Sequence, residues 1–162
     1  MRITKKYIVK LLNEVCNQLG YSPPKILFIP DKIFLKAYLD LPVSKQLIAL
    51  GIYDKDSTPS FMAMGENTIF VSLYRANKGL SQFNERHASE YLKFMLAHEL
   101  THINEPKEDP VENEMNANEK AKRIVDVEAY NYVNNILWKD VIHRINEYKK
   151  QQSGDNNNES IE

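Results

Sequence analysis

The stretch Tyr91-Leu92-Lys93-Phe94-Met95-Leu96-Ala97-His98-Glu99-Leu100-Thr101-His102-Ile103 combines a strong apolar pattern with a cluster of ligand-type side chains. From about Asn84 the apolar positions Tyr91, Leu92, Met95, Leu96, Leu100 and Ile103 recur at helical spacing, and the pattern stops before Pro106. This predicts a buried helix that ends just after the second histidine. His98 and His102 are four residues apart, so their imidazoles project from one face about one turn apart and both can reach a single tetrahedral ion. Glu99 is displaced by one residue, about 100° around the helix, which puts its carboxylate beside such an ion rather than on it. There it can take a proton from water. A zinc ion held by the pair would lower the pKa of bound water from about 15.7 toward about 7 and polarise a carbonyl. Glu99 is therefore the candidate catalytic base, and His98 and His102 are candidate zinc ligands.

Upstream, Tyr7, Ile8, Leu11, Leu12, Val15, Cys16 and Leu19 fall at helical spacing and Gly20 follows, which predicts an amphipathic helix with a glycine stop. After Pro23-Pro24, the run Lys25-Ile26-Leu27-Phe28-Ile29 suits a buried strand, and residues 33–51 read as mixed. Lys55 to Pro59 reads as a loop. Phe61 to Met64 and Thr68 to Leu73, separated by Gly65-Glu66-Asn67, read as a β-hairpin. Downstream, residues 105–114 carry Pro106, Pro110 and five acidic side chains and read as a connection, followed by one long helix from about Met115 to Tyr148. The stretch from Gln151 to Glu162 lacks apolar material and is expected to be a disordered tail. Fold class is thus expected to be α+β: an N-terminal helix, a small sheet, and two packed helices around the metal, in one domain over residues 1–150.

With 162 residues, 43% apolar and 27% charged, the chain is of ordinary globular composition and size for one core. Lysine and arginine (21) nearly balance aspartate and glutamate (22), so no global field favours nucleic acid, and direct nucleic-acid binding is not expected. The single cysteine, Cys16, allows neither an internal disulfide nor a thiolate zinc cluster. The apolar run after Met1 is broken by Lys10, too early for a signal peptide, and no stretch approaches a membrane span. A cytoplasmic protein without a membrane partner is expected.

Catalytic zinc sites use three protein ligands, so a third must come from elsewhere. His87 lies eleven residues before His98, about 16 Å along a helix. His143 reads as a surface residue of the last helix. Val125-Asp126-Val127-Glu128-Ala129-Tyr130 offers two carboxylates, one on either flank of a buried stripe, and periodicity does not choose between them.

His98-Glu99-Leu100-Thr101-His102, followed by a connection and a helix with an acidic-x-Glu-Ala pattern, resembles the compact gluzincin metallopeptidases, most closely in size and layout the ImmA/IrrE-type proteins. Their second helix carries Glu-x-Glu-Ala-Asn, with the first glutamate on the metal. Matched on Glu128-Ala129, the resemblance implies Asp126 as third ligand, with Glu128 the alternative. It also makes Thr68 to Leu73 the candidate for an edge strand that pairs with extended substrate, with an ordinary core strand, Ile69, Val71 and Leu73 facing inward, as the equal alternative. Tyr130 and Tyr132 are the tyrosines to test as oxyanion stabilisers. Aspartate for glutamate at 126, and tyrosine for asparagine at 130, depart from the pattern. The activity so implied is zinc-dependent hydrolysis of peptide bonds in an intracellular protein, with a regulator such as a transcriptional repressor as the substrate class. The competing expectation is a non-catalytic binding module stapled by metal. Oligomeric state is left open by the sequence.

Overall fold

The computed structural model describes residues 1–54, 56, 59–63 and 67–159. Helix α1 (Lys5–Leu19) starts where the Thr4 side chain accepts the Tyr7 N–H and ends at Gly20, whose φ of 76° is the left-handed conformation glycine adopts without strain. Strand β1 (Lys25–Phe28) leads to two short helices, α2 (Asp31–Leu39) and α3 (Pro42–Ala49), in the stretch where the sequence pattern is mixed. Strands β2 (Phe61–Ala63) and β3 (Thr68–Val71) pair antiparallel, as expected of the hairpin. The Gly65-Glu66 part of its turn, and much of the 55–59 loop, lie outside the described residues, while Asn67 has a φ of 52°. β3 also pairs in parallel with β1, so the sheet order is β1-β3-β2.

That order decides between the two readings of Thr68 to Leu73 in favour of a core strand. β3 lies in the middle with both sides of its backbone paired, so Thr68–Val71 cannot take an added strand. The edge beside the next long helix is β2, and the chain turns into α4 (Leu73–Leu80) rather than continuing β3 through Leu73. Ser72 both caps α4 and donates its hydroxyl to Asp31 (2.7 Å), which also takes two bonds from Arg75 and so ties α4 to α2.

Helix α5 (Glu85–Asn104) is the axis of the molecule and packs against α1, β2, α6 (Pro110–Lys122) and α7 (Val127–Leu137). Leu92, Leu96 and Leu100 of α5 are fully buried with Ile8, Leu12 and Val15 of α1 and Ile69 and Val71 of β3. Burial of this apolar surface at roughly 25 cal/mol per Å² holds the sheet and α1 on one side of α5. The α+β class is as expected.

The C-terminal half differs from the single long helix read from the sequence. It is three helices, α6, α7 and α8 (Lys139–Glu159), with breaks at Arg123–Asp126 and at Trp138. α6 begins earlier than expected because Asp109 accepts the Glu112 N–H (2.9 Å) and Pro110 occupies the first helical position, where its missing N–H costs nothing. Asp109→Ala should destabilise the fold by about 1 kcal/mol in a urea unfolding curve. No change would mean that α6 is nucleated by its packing on α5 alone. The stretch from Gln151, expected to be disordered, continues α8 as far as Glu159. No helix among the described residues is long and apolar enough to cross a membrane.

Candidate metal centre

His98 and His102 lie on the last two turns of α5, on the side that faces α6. Their Nε2 atoms are 2.9 Å apart. Glu114, from the second turn of α6, closes the group: its Oε1 is 2.9 Å from His102 Nε2 and its Oε2 3.3 Å from His98 Nε2. Two imidazoles and a carboxylate at these distances are held together either by a proton on an imidazole or by a cation between them. Ligands around one tetrahedral zinc with bonds of about 2.0–2.1 Å stand roughly 3.3 Å from each other, close to the separations here. Among the described residues this is the group of histidine, cysteine and carboxylate side chains that could hold a metal ion.

The donors are also oriented. His98 Nδ1 lies 2.9 Å from Asn118 Oδ1, an atom that can only accept, so Nδ1 carries a proton and, in the neutral ring, Nε2 would offer its lone pair to an ion. Asn118 is one turn beyond Glu114 on α6, so one helix supplies both the third donor and the group that orients the first. The His102 Nδ1 is buried with no partner at full hydrogen-bond geometry, and Asn113 is the side chain that bears on this ring from α6. Burial alone would lower the pKa of His102, but its bond to Glu114 and the charges of Glu99 and Glu114 raise it. The bonds from His102 and His98 hold the Glu114 carboxyl well below the ordinary carboxylate range.

Glu99 stands beside the group, as its place on the helix requires. It is buried, and its Oε2 accepts the N–H of Ala63 in β2 (2.9 Å). Burial pushes its pKa up, against the opposing pull of His98, His102 and the Ala63 N–H. A carboxylate so placed is a stronger base than one in water, with one oxygen fixed by the edge strand and the other left for a proton.

Known protein families, curated proteins and solved structures give no match to this chain. The site must be judged on its own chemistry.

Asp126 is not part of it. The residue precedes α7 as its N-cap, where Oδ1 accepts the N–H groups of Glu128 and Ala129 (3.1 and 3.3 Å) and Oδ2 pairs with Arg86. Both oxygens are thus committed, one to the α7 cap and one to Arg86, and the carboxylate that joins the two histidines is Glu114 rather than the expected Asp126. Glu128, the alternative, is exposed in the first turn of α7 and is likewise outside the cluster. Tyr130 is a packing residue: its ring stacks on Phe94 (centroids 3.7 Å) and on Tyr91 (5.8 Å) between α5 and α7. Tyr132 is exposed and lies against His87 and Phe83, at the opposite end of α5 from His98. It cannot serve as an oxyanion donor at this centre.

The tyrosines that do feel the centre come from the first third of the chain. The Tyr38 hydroxyl, pushed up mainly by burial and further by Tyr53, also senses the charge of Glu99. Tyr53, likewise raised by burial, senses Glu114. Tyr53 is held from behind by Arg144 of α8, which donates to the Ile52 carbonyl (3.1 Å) and pairs with Asp54 (3.2 Å). No local pattern in the sequence marks these two residues. Glu114 and Asn118 did have a signal: Glu114-Met115-Asn116-Ala117-Asn118 agrees with Glu-x-Glu-Ala-Asn at its first, fourth and fifth positions, a better register than the one at Asp126.

Proposed function

We propose that the chain is a zinc-dependent peptidase, with His98, His102 and Glu114 as ligands and Glu99 as general base. The observation that carries this is the convergence of two Nε2 atoms and a carboxylate within 3.3 Å, with a buried, basic glutamate one residue around the helix. An N₂O donor set with no thiolate suits zinc, although other first-row ions accept the same ligands. When bound, zinc would supply a nucleophile at neutral pH and polarise the scissile carbonyl. The residues of the chain do the rest. Glu99 receives the proton of the attacking water and delivers it to the leaving amine, and the Ala63 N–H fixes its orientation. Asn118 keeps His98 in the tautomer that binds metal.

The register at Glu114–Asn118 strengthens the resemblance to ImmA/IrrE-type peptidases, because the two departures read at Asp126 and Tyr130 no longer count against it. An intracellular protein, such as a transcriptional repressor, is the substrate class this favours. The test is a cleavage assay on unfolded proteins with the chain purified away from chelator and nickel. About one zinc per chain should be found, 1,10-phenanthroline should stop cleavage, and added zinc should restore it. Failure to take up metal even from excess zinc would remove the proposal.

A further inference from the structure

The centre opens toward α6: the side chains of His98 and His102 are 12% and 15% exposed, whereas that of Glu114 is 60% exposed. What lies on that open side is unusual for a surface helix. Val111 and Met115 are each 66% exposed, the most exposed large apolar side chains among the described residues, and they flank Glu114 three residues before and one after. Val111 and Met115 are also four apart, so they adjoin on the helix surface and form one apolar strip beside Glu114. Isolated exposed apolar residues need no explanation, but two on one helix face beside a cluster of donor side chains do.

The charge around the strip is one-sided. Between residues 105 and 119 there are six acidic side chains and one basic one, Lys107. Several of the acids are already engaged: Glu105 holds Lys120 and Tyr21, Asp109 caps α6, and Glu119 pairs with Arg123. Glu108 and Glu112, both exposed, remain to frame Val111. An apolar strip with two acidic neighbours complements a polypeptide segment in which a large apolar side chain stands close to lysine or arginine.

We propose that this strip of α6 seats the substrate, an unfolded or extended segment that places a large apolar side chain on Val111 and Met115 and a neighbouring basic side chain on Glu108 and Glu112. That it is a substrate rather than a ligand rests on the peptidase proposal. The seat itself does not.

The two are separated by measuring binding without cleavage. Zinc-loaded, full-length Glu99→Gln protein is titrated into two fluorescein-labelled peptides of equal length, one alternating leucine and lysine, the other leucine and glutamate, and anisotropy is read. The lysine peptide should bind at least about tenfold more tightly, and the difference should shrink as salt is raised. Val111→Ser with Met115→Ser should weaken its binding by about tenfold or more at unchanged zinc content, as loss of two apolar contacts requires. Glu108→Gln with Glu112→Gln should remove most of the preference between the two peptides. Tyr74→Ser, an exposed aromatic on α4, should change neither. Equal binding of the two peptides, or binding indifferent to Val111 and Met115, overturns the inference whether or not the wild-type chain cleaves anything. Conversely, preferential binding with no cleavage by the zinc-loaded wild type keeps the seat and removes the peptidase.

Discussion

Glu99→Gln is expected to lower the rate of peptide cleavage by at least about 100-fold, the low end of what a positioned general base contributes, while zinc content stays at the wild-type level. The substitution is nearly isosteric. The glutamine amide oxygen can still accept the Ala63 N–H, so β2 and α5 should stay in register. What disappears is the basic oxygen. Because burial raises the pKa of Glu99, its folded form binds a proton more tightly than the unfolded chain does. The stability linked to that extra proton affinity is present below the unfolded pKa and is lost as pH rises through the folded value. Above the ordinary carboxylate range the buried carboxyl is therefore a cost in the metal-free protein, and glutamine removes it. The metal-free variant should melt no lower than wild type, and its melting temperature should fall less between pH 5 and pH 8. A variant that retained its cleavage rate would take Glu99 out of the mechanism. One that lost zinc together with activity would instead assign Glu99 to holding the site.

Much of this arrangement was legible because it is local. The two histidines and the glutamate occupy five consecutive residues on a helix with an unmistakable apolar stripe, so their relative placement follows from helix geometry alone. The N-terminal helix and the hairpin are local in the same sense. The third member of the cluster is not legible by periodicity because two local signals compete with it. Pro110 reads as a breaker within the acidic connection, although after Asp109 it occupies the position where proline starts a helix. Asp126 falls inside the single long helical pattern, although aspartate is among the strongest N-caps and here ends one segment and begins the next. Together they shift the helix boundary, and with it the register at which Glu-x-Glu-Ala-Asn aligns. The central position of β3 is a different kind of miss. The hairpin was visible, but the parallel pairing with β1 joins residues more than forty apart and leaves no mark on either strand. The same holds for the electrostatic link of Tyr38 to Glu99 and of Tyr53 to Glu114, which joins the centre to a stretch with no clear periodicity.

Metal affinity should discriminate sharply among Glu114, Asn118 and Asp126. Asn118→Ala removes only the acceptor that orients His98, and loss of such an outer partner costs roughly 10–100-fold in affinity. Glu114→Ala should cost more than that. It removes a donor outright and leaves His98 and His102 with Nε2 atoms 2.9 Å apart and no carboxylate to offset the ion's charge. Asp126→Ala should bind zinc as wild type does. Its two oxygens serve the α7 cap and Arg86, so the loss should appear as a lower melting temperature of the metal-free protein. Competition against a chelating zinc dye, run on all three variants at one pH, gives the order directly. If Asp126→Ala lost zinc while Glu114→Ala kept it, α7 would have to swing its N-terminus onto the histidines when the ion binds. That movement would break the Asp126 cap and its ion pair with Arg86, and would also free Glu114 to act on substrate. The order Glu114, then Asn118, then Asp126 would instead establish α6 as the helix that completes the centre. It would also explain why α6 alone carries the third ligand, the orienting amide and the apolar strip beside them.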